Sequence, residues 1–303
     1  MKLYVRGVRM RIVQAGGIFM LVAALSLALA SDLRAQGTAR SSAPRDLTGY
    51  WVSVVTEDWR WRMTVPDRSD YVNIPMTPAG RRVADSWDPA KEKPADLCKG
   101  YGAPAIMRVP GRLHIYWQDD NTLRIDTDSG TQTRLLHFGS AGPDSKTPPG
   151  WQGYSVASWG DPDEPIDQRI GGGGPQGQGG PEYEAQVPIG AGGPGTAAGP
   201  NGQQAATGGP RTTLPSTYLK IVTTQLLPGY LRKNGVPYGA NTSLEEFLTS
   251  FSDPFRNESW LMVTTVVTDR QYLIEPYLTH SHFKKIPDAS GWDPTPCRAD
   301  EPR

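Results

Sequence analysis

Three short apolar segments separated by turn residues, within residues 111–138, constrain the fold of this chain more than any other feature. The segments are residues 113–117, 123–127 and 131–138, and Asp119-Asp120-Asn121 and Asp128-Ser129-Gly130 lie between them. Aromatic, aliphatic and β-branched residues favour strands, whereas Asp, Asn, Ser and Gly favour tight turns. The pattern therefore predicts a three-stranded antiparallel meander.

The middle segment also shows which side of this sheet is buried. Leu123, Ile125 and Thr127 alternate with charged residues. Side chains of a strand point alternately to opposite faces, so this period of two puts one face in a core and the other in water. We expect a sheet with one buried face.

Further strand patterns occur along most of the chain. They cover residues 47–55 with a continuation through 57–63, then residues 151–159, 218–226, 260–268 and 271–285, and Asn234-Gly235 marks a hairpin. Residues 79–87 predict a short helix. Residues 243–251 combine a helical capping box with a strand-rich context, and we interpret them as a strand.

About ten short strands with little helix predict an all-β protein. Closing an antiparallel meander into a barrel removes exposed edges, so we expect an up-and-down barrel, with a β-sandwich as the alternative. One β-domain would span residues 47–300 after a flexible segment at residues 31–46. Between residues 171 and 210, 15 glycines and six prolines predict a disordered insertion, which we place at about residues 160–213.

The first thirty residues have the organisation of a signal peptide. Four basic residues precede an apolar stretch over residues 18–30 that closes with Ala28-Leu29-Ala30. A retained membrane anchor is the weaker alternative, because a spanning helix needs ~20 apolar residues. We expect cleavage after Ala30, no membrane span afterwards, and a periplasmic or secreted protein.

Charge and cysteine content narrow the partners and the compartment. The chain has 31 basic and 31 acidic residues, and loss of the leader with its four basic residues leaves a net charge of −4. Nucleic-acid binding requires a concentrated basic patch, so we expect no such partner. The two cysteines, Cys98 and Cys297, predict a disulfide in an oxidising compartment.

Two resemblances add to this interpretation. Gly49-Tyr50-Trp51 is similar to the G-x-W that opens lipocalin barrels, which implies a Trp on the barrel floor. A wider set of blocks resembles a family of exported bacterial proteins of unknown function. This second resemblance implies export and a single domain, and it implies no activity. Its blocks are EDWRWRM, RRVADSWDPA, PGRLHIYWQDDNTLRIDTDSGTQTRLLHF, WQGYSVASW, LRKNGVPY, HFKK and WDPTPC.

A ligand pocket is the main candidate site. Aromatic residues on strands stack on flat or apolar ligands, and an arginine pairs with an acidic group of the ligand. The alternative is an aromatic core that fills the barrel. The candidate ligand-binding residues are Trp59, Trp61, Arg62, His114, Tyr116, Trp117 and Arg134.

A metal site is the second candidate. His280 and His282 lie on the same side of a predicted strand and would bind zinc or copper if His114 or His137 supplied a third ligand. The alternative is two surface histidines. We expect a non-catalytic protein without a cofactor that binds a small, partly apolar molecule. The alternatives are a metal-assisted hydrolase or oxidase, and a module that docks on another envelope protein.

Overall fold

A computed structural model describes residues 37–160 and 218–303, which form eleven strands and three short α-helices. The predicted signal peptide and most of the predicted Gly/Pro-rich insertion lie outside the described residues. The helices are α1 (Trp59–Arg62), α2 (Pro78–Ser86) and α3 (Ala103–Ile106). The strands are β1 (Gly49–Val54), β2 (Arg112–Trp117), β3 (Thr122–Thr127), β4 (Gln132–Phe138), β5 (Tyr154–Trp159), β6 (Leu219–Thr224), β7 (Gly229–Arg232), β8 (Val236–Tyr238), β9 (Ser243–Asp253), β10 (Glu258–Thr268) and β11 (Tyr277–Ile286).

Nine of these strands close into a barrel in the order β1-β11-β10-β9-β6-β5-β4-β3-β2. The predicted all-β barrel is therefore confirmed, and the alternative of a β-sandwich is wrong. The predicted meander is β2-β3-β4, paired antiparallel throughout. One pair departs from a purely up-and-down barrel, because β5 runs parallel to β4. Residues 139–153 return along the barrel before β5 begins, so both strands start at the same end.

The barrel interior follows the predicted alternation. Ile115, Ile125 and Leu136, on three neighbouring strands, are fully buried. Trp51, in the G-x-W segment of β1, is 1% exposed, and its indole Nε1 donates to the carbonyl of Leu47 at 3.0 Å. Burying such side chains is the main force that holds a closed sheet together.

The ambiguous segment at residues 243–251 is a strand, as predicted. It belongs to β9, which pairs with β6 on one side and β10 on the other. Glu246 of its capping-box pattern lies opposite Ile221 and Thr265. Two neighbouring ladders satisfy the backbone of β9, and this tertiary pairing overrides its local helical signals.

One predicted strand is wrong. β1 ends at Val54, and the expected continuation over residues 57–63 is instead a turn followed by the helix α1. Asp58 adopts a left-handed conformation with φ of 55°, which breaks the strand. Trp59 and Trp61 therefore do not share one face of a strand, and Trp59 is 63% exposed.

A layer of loops and short elements covers the barrel end at which β1, β3 and β6 finish. We call this layer the cap, and it comprises residues 55–111, 225–242 and 293–303. The backbone N–H of Thr295 donates to the carbonyl of Asp128 at 2.9 Å, which holds the C-terminal segment there. The predicted disulfide between Cys98 and Cys297 is present, with a Cα–Cα distance of 5.1 Å.

The cap contains both predicted local elements of this region. Helix α2 begins after Thr77, whose side chain accepts from the N–H of Gly80 at 3.1 Å. β7 and β8 form the hairpin predicted at Asn234-Gly235, where Gly235 has a φ of 84°. A positive φ of this size is readily adopted by glycine and strained for most other residues.

Residues 37–46, for which the sequence predicts a flexible lead-in, contact the loop between β2 and β3. The N–H of Arg40 donates to the carbonyl of Asp120 at 3.0 Å. Within residues 37–160 and 218–303, no helix is long and apolar enough to cross a membrane.

Candidate anion-binding site

The structure distributes the predicted ligand-binding residues over separate regions. Trp61 and Arg62 line a cavity in the cap, and Trp59 is exposed on α1. Arg134 and Trp117 belong to the barrel, and Trp117 lies at the end remote from the cap, where its ring centroid is 5.3 Å from that of Phe138. The predicted residues therefore do not form a single site.

His114 and Tyr116 form a surface cluster on the outside of β2. The imidazole of His114 stacks on Tyr50 with a centroid distance of 4.1 Å and contacts Tyr116 at 4.5 Å. Partial burial lowers the pKa of His114. Trp292 closes the cluster edge-on, at 5.9 Å from the ring of Tyr50.

The two histidines of β11 have separate partners. Nδ1 of His280 is 3.1 Å from the hydroxyl of Thr264, and Nδ1 of His282 is 3.1 Å from a carboxylate oxygen of Glu57. Across the described ranges, no three His, Cys, Asp or Glu residues lie close enough together to hold a metal ion. The expected third ligand from His114 or His137 is therefore not brought to this pair.

Arg134 makes the most deeply buried ion pair in the barrel. Its Nη1 and Nη2 donate to the two carboxylate oxygens of Glu246 at 3.1 and 2.5 Å, and both side chains are 0% exposed. Nη2 also lies 3.4 Å from the hydroxyl of Thr223, which in turn contacts Ser155 at 2.7 Å. Fork-to-fork pairing of this kind neutralises the arginine within the structure.

A small cavity of about 30 Å³, open to solvent, lies in the cap beside Trp61. Its charged lining is entirely basic among the residues that the structure describes. Apolar and small residues complete the wall. The lining residues are Trp61, Arg62, Thr64, Pro66, Gly100, Ala105, Arg108, Val109, Pro110, Leu231, Arg232, Lys233 and Pro302.

Three arginines of this lining are more than nine-tenths buried, with exposures of 3% for Arg62, 6% for Arg108 and 4% for Arg232. Each has a terminal nitrogen, Nη2, that is buried and has no hydrogen-bond partner among the described residues; Arg232 Nε is unpartnered as well. Arg134, the fourth buried arginine in the described ranges, leaves only Nε unpaired. Unpartnered buried donors are costly, because they lose hydration without compensation.

The remaining contacts fix the guanidinium groups in place. Arg62 donates from Nε to the carbonyl of Arg108 at 2.9 Å, and its Nη1 is 3.5 Å from Glu57. Arg108 Nη1 donates to Asp58 at 2.9 Å. Both carboxylates are about 30% exposed, so neither pair is enclosed as Arg134 and Glu246 are.

Arg232 has no carboxylate at salt-bridge distance among the described residues. It donates from Nη1 to the carbonyl of Val72 at 2.9 Å, and its guanidinium lies 4.7 Å from the ring centroid of Trp61. The indole Nε1 of Trp61 donates to Asp70 at 2.9 Å, which fixes the ring. Trp61 therefore positions Arg232, and one face of its ring is already occupied by that cation.

A second side chain of the hairpin also contacts the loop before α2. Asn234 Nδ2 donates to the carbonyls of Asp67 and Asp70 at 3.1 and 3.0 Å. Arg232 immediately precedes this turn, on β7. These contacts thus bring Arg232 to α1, from which it is distant in sequence.

Burial weakens the protonation of two of these cations. Burial lowers the pKa of Lys233 to about 7, although its ammonium donates to the carbonyl of Glu301 at 2.8 Å and lies 3.8 Å from the ring centroid of Tyr101. Burial, and then the charge of Arg108, lowers the pKa of Arg62 to about 10. A bound anion would oppose both shifts, since an opposite charge favours the protonated form.

Comparison with known proteins adds no relative. No family model, no curated protein and no solved structure matches the chain. The argument for a binding site in the cap therefore depends on the geometry of the cavity alone.

Sequence reasoning selected Trp61 and Arg62 and missed Arg108, Arg232 and Lys233. The missed residues lie in segments that the sequence marks only as a connection before a strand and as a hairpin. The four cations are separated by up to 171 positions along the chain, between Arg62 and Lys233. No local pattern signals their convergence, because it depends on how the cap folds over the barrel.

Proposed function

We propose that this protein is a non-catalytic binding protein for a small organic anion, held in the basic cavity of the cap. The ligand class agrees with the sequence-based expectation of a partly apolar molecule with an acidic group. The site differs, since it is the cap rather than the barrel interior. Arg134, which the sequence offered as an anion partner, is already paired with Glu246.

One observation carries the proposal: three buried arginines meet at one cavity, each with an unpartnered terminal nitrogen in the described structure. Burying a charge without full pairing is unfavourable for the folded protein. Such groups are typical of binding sites, where the ligand supplies the missing partner. Apolar neighbours such as Leu231 and Val109 offer contact to an organic body.

We also propose that the protein works in the periplasm or outside the cell. The leader pattern supports this location, as does the disulfide, because disulfides persist mainly in oxidising compartments. A small-molecule partner fits such a location. An envelope protein partner remains an alternative that binding assays would distinguish.

Isothermal titration calorimetry on the full-length protein tests the proposal. We expect at least one of benzoate, phenyl sulfate and phenyl phosphate to bind, whereas neutral benzamide does not. Arg232→Gln should weaken that binding by about 10- to 100-fold, the equivalent of one charge-assisted contact. Binding of benzamide as tight as that of the anions would overturn the proposal.

Arg82→Gln is the matched control, because it removes the same charge from an exposed position on α2. It should leave the affinity within about twofold, since exposed charges are screened. An equal loss of affinity in Arg82→Gln and Arg232→Gln would mean that only the general charge of the protein matters, and would contradict a site in the cavity.

A further inference from the structure

The charges around the cap cavity do not balance. Arg62, Arg108, Arg232 and Lys233 line it, and the carboxylates that pair with them in the described ranges are Glu57 and Asp58. The three arginines thus exceed these two carboxylates by one, and Lys233, whose pKa burial lowers to about 7, adds a second positive charge when it is protonated. A bound anion favours the protonated form of Lys233, and a single negative charge would then leave one of the two excess positive charges without a counter-charge.

Neighbouring acids act on two of these cations without a salt bridge, Asp70 on Arg232 and both Asp300 and Glu301 on Lys233. Asp70 accepts from Arg60 at 2.8 Å and from the indole of Trp61. The carboxylate of Glu301 pairs with Arg298 at 3.0 Å. These carboxylates make the local electrostatic potential less positive, but they do not accept hydrogen bonds from the unpartnered arginine nitrogens.

The number of unpaired donors also favours an anion with more than one charge and several acceptor oxygens. Four nitrogens lack partners within the described structure: Nη2 of Arg62, Nη2 of Arg108, and both Nε and Nη2 of Arg232. A carboxylate presents two oxygens in a plane. A phosphate monoester presents three strong acceptor oxygens in a tetrahedral arrangement and carries about −1.5 to −2 charge at pH 7. Arginine forks match phosphate oxygens well.

We propose that the natural ligand of the cavity is a phosphate monoester with a small, partly apolar organic group. This inference rests on the proposed function and specifies its ligand class. The phosphoryl group accepts from Arg62, Arg108 and Arg232, with Lys233 as the fourth cation. The organic group contacts the apolar part of the wall, which includes Ala105, Pro110 and Leu231.

The test compares three ligands by calorimetry on the full-length protein at pH 7.5, in a buffer without phosphate or sulfate. Phenyl phosphate is the dianionic probe, and phenyl sulfate has the same tetrahedral shape and organic group with a single charge. Inorganic phosphate has the dianion without the organic group. We expect phenyl phosphate to bind at least about 10-fold more tightly than either, the equivalent of one further charge-assisted contact or of the lost apolar contact.

The outcomes separate this inference from the proposed function. Equal affinity for phenyl sulfate would overturn the requirement for a dianion, and equal affinity for inorganic phosphate would overturn the organic group. In both cases, loss of binding in Arg232→Gln would still support an anion site. Failure of every anion to bind would overturn the proposed function together with this inference.

Variants of the other two arginines supply an independent readout. Arg62→Gln and Arg108→Gln should each reduce the preference for phenyl phosphate over phenyl sulfate, because each removes part of the charge excess. Arg82→Gln should retain the preference. A preference unchanged in all three variants would contradict the assignment of the phosphoryl group to these arginines.

Discussion

Arg134 in the barrel and Arg232 in the cap are almost equally buried, at 1% and 4% exposure, yet their charges are paired differently. Arg134 meets both oxygens of an enclosed carboxylate. Arg232 has one backbone carbonyl and an aromatic ring, and two of its nitrogens are unpartnered among the described residues. Burial alone therefore does not distinguish a structural arginine from a binding arginine. We propose that the completeness of charge pairing does.

The largest expected effect is on the barrel pair. Glu246→Gln keeps the shape of the side chain but leaves the charge of Arg134 buried without a counter-charge. We expect the free energy of unfolding to fall by about 3–5 kcal/mol, as is typical when one partner of a buried pair is removed. Urea unfolding of the oxidised protein, followed by Trp fluorescence, measures this loss.

The double variant Arg134→Met/Glu246→Leu is the control for that experiment. It removes both charges together and should recover most of the lost stability, because apolar residues of similar volume replace such pairs at little cost. Phenyl phosphate binding should be unchanged in the double variant. If it were lost, the barrel and the cap would not be independent, and the comparison would fail.

The next effect concerns pH. In the folded protein the pKa of Lys233 is about 7, compared with an ordinary value of 10.5, so the folded state binds fewer protons than the unfolded state between these values. Stability should therefore rise as pH increases from 7 to 9, by at most about 1.4 kcal/mol per pH unit for one proton. Unfolding curves across this range measure the slope.

Lys233→Met should flatten that slope, because it removes the group whose protonation differs between the two states. Lys91→Met is the matched control, since the side chain of Lys91 is 82% exposed. If the slope persisted in Lys233→Met and disappeared in Lys91→Met, Lys91 would be the group that loses its proton on folding. This outcome would contradict the prediction.

The smallest expected effect is the most informative about the cap. Arg232→Gln removes a charge that the folded protein does not pair, so lost contacts and relieved desolvation should nearly cancel. We expect the free energy of unfolding without ligand to change by less than about 1 kcal/mol. A loss as large as that of Glu246→Gln would show that Arg232 is a structural residue like Arg134.

Stabilisation by phenyl phosphate should also distinguish Arg232 from an exposed arginine. Wild-type protein should gain stability as phenyl phosphate is added, because the ligand binds only the folded state. Arg232→Gln should gain much less, whereas Arg82→Gln should gain as much as the wild type. Thermal unfolding at several ligand concentrations measures these shifts.

Much of the barrel could be predicted because its signals are local. Residues 123–127 alternate with a period of two and form β3, and Asn234-Gly235 forms a hairpin turn. The alternation at residues 57–63 gave the same signal and was misleading. There Asp58 turns the chain, and Arg62 is buried through contacts with Arg108 and Glu57 in the cap.

The candidate site could be predicted only in part. Trp61 and Arg62 were selected as aromatic and cationic residues of an expected strand over residues 57–63, which is instead a turn and the helix α1. Arg134 has the same residue type on a clearer strand, and sequence reasoning gave it the same role. Its pairing with Glu246 joins strands that lie more than 100 positions apart, a separation of 112 residues. Residue type does not reveal which arginine has a partner.

By itself, the sequence determined the all-β class, the central meander, the hairpin and the pairing of Cys98 with Cys297. These follow from side-chain alternation, from turn residues and from the presence of only two cysteines. The tertiary structure alone decided that β5 runs parallel to β4 and that Arg62, Arg108 and Arg232 meet at one cavity. The reason is physical: backbone periodicity acts over a few residues, whereas charge pairing depends on contacts between segments that only the closed barrel and its cap bring together.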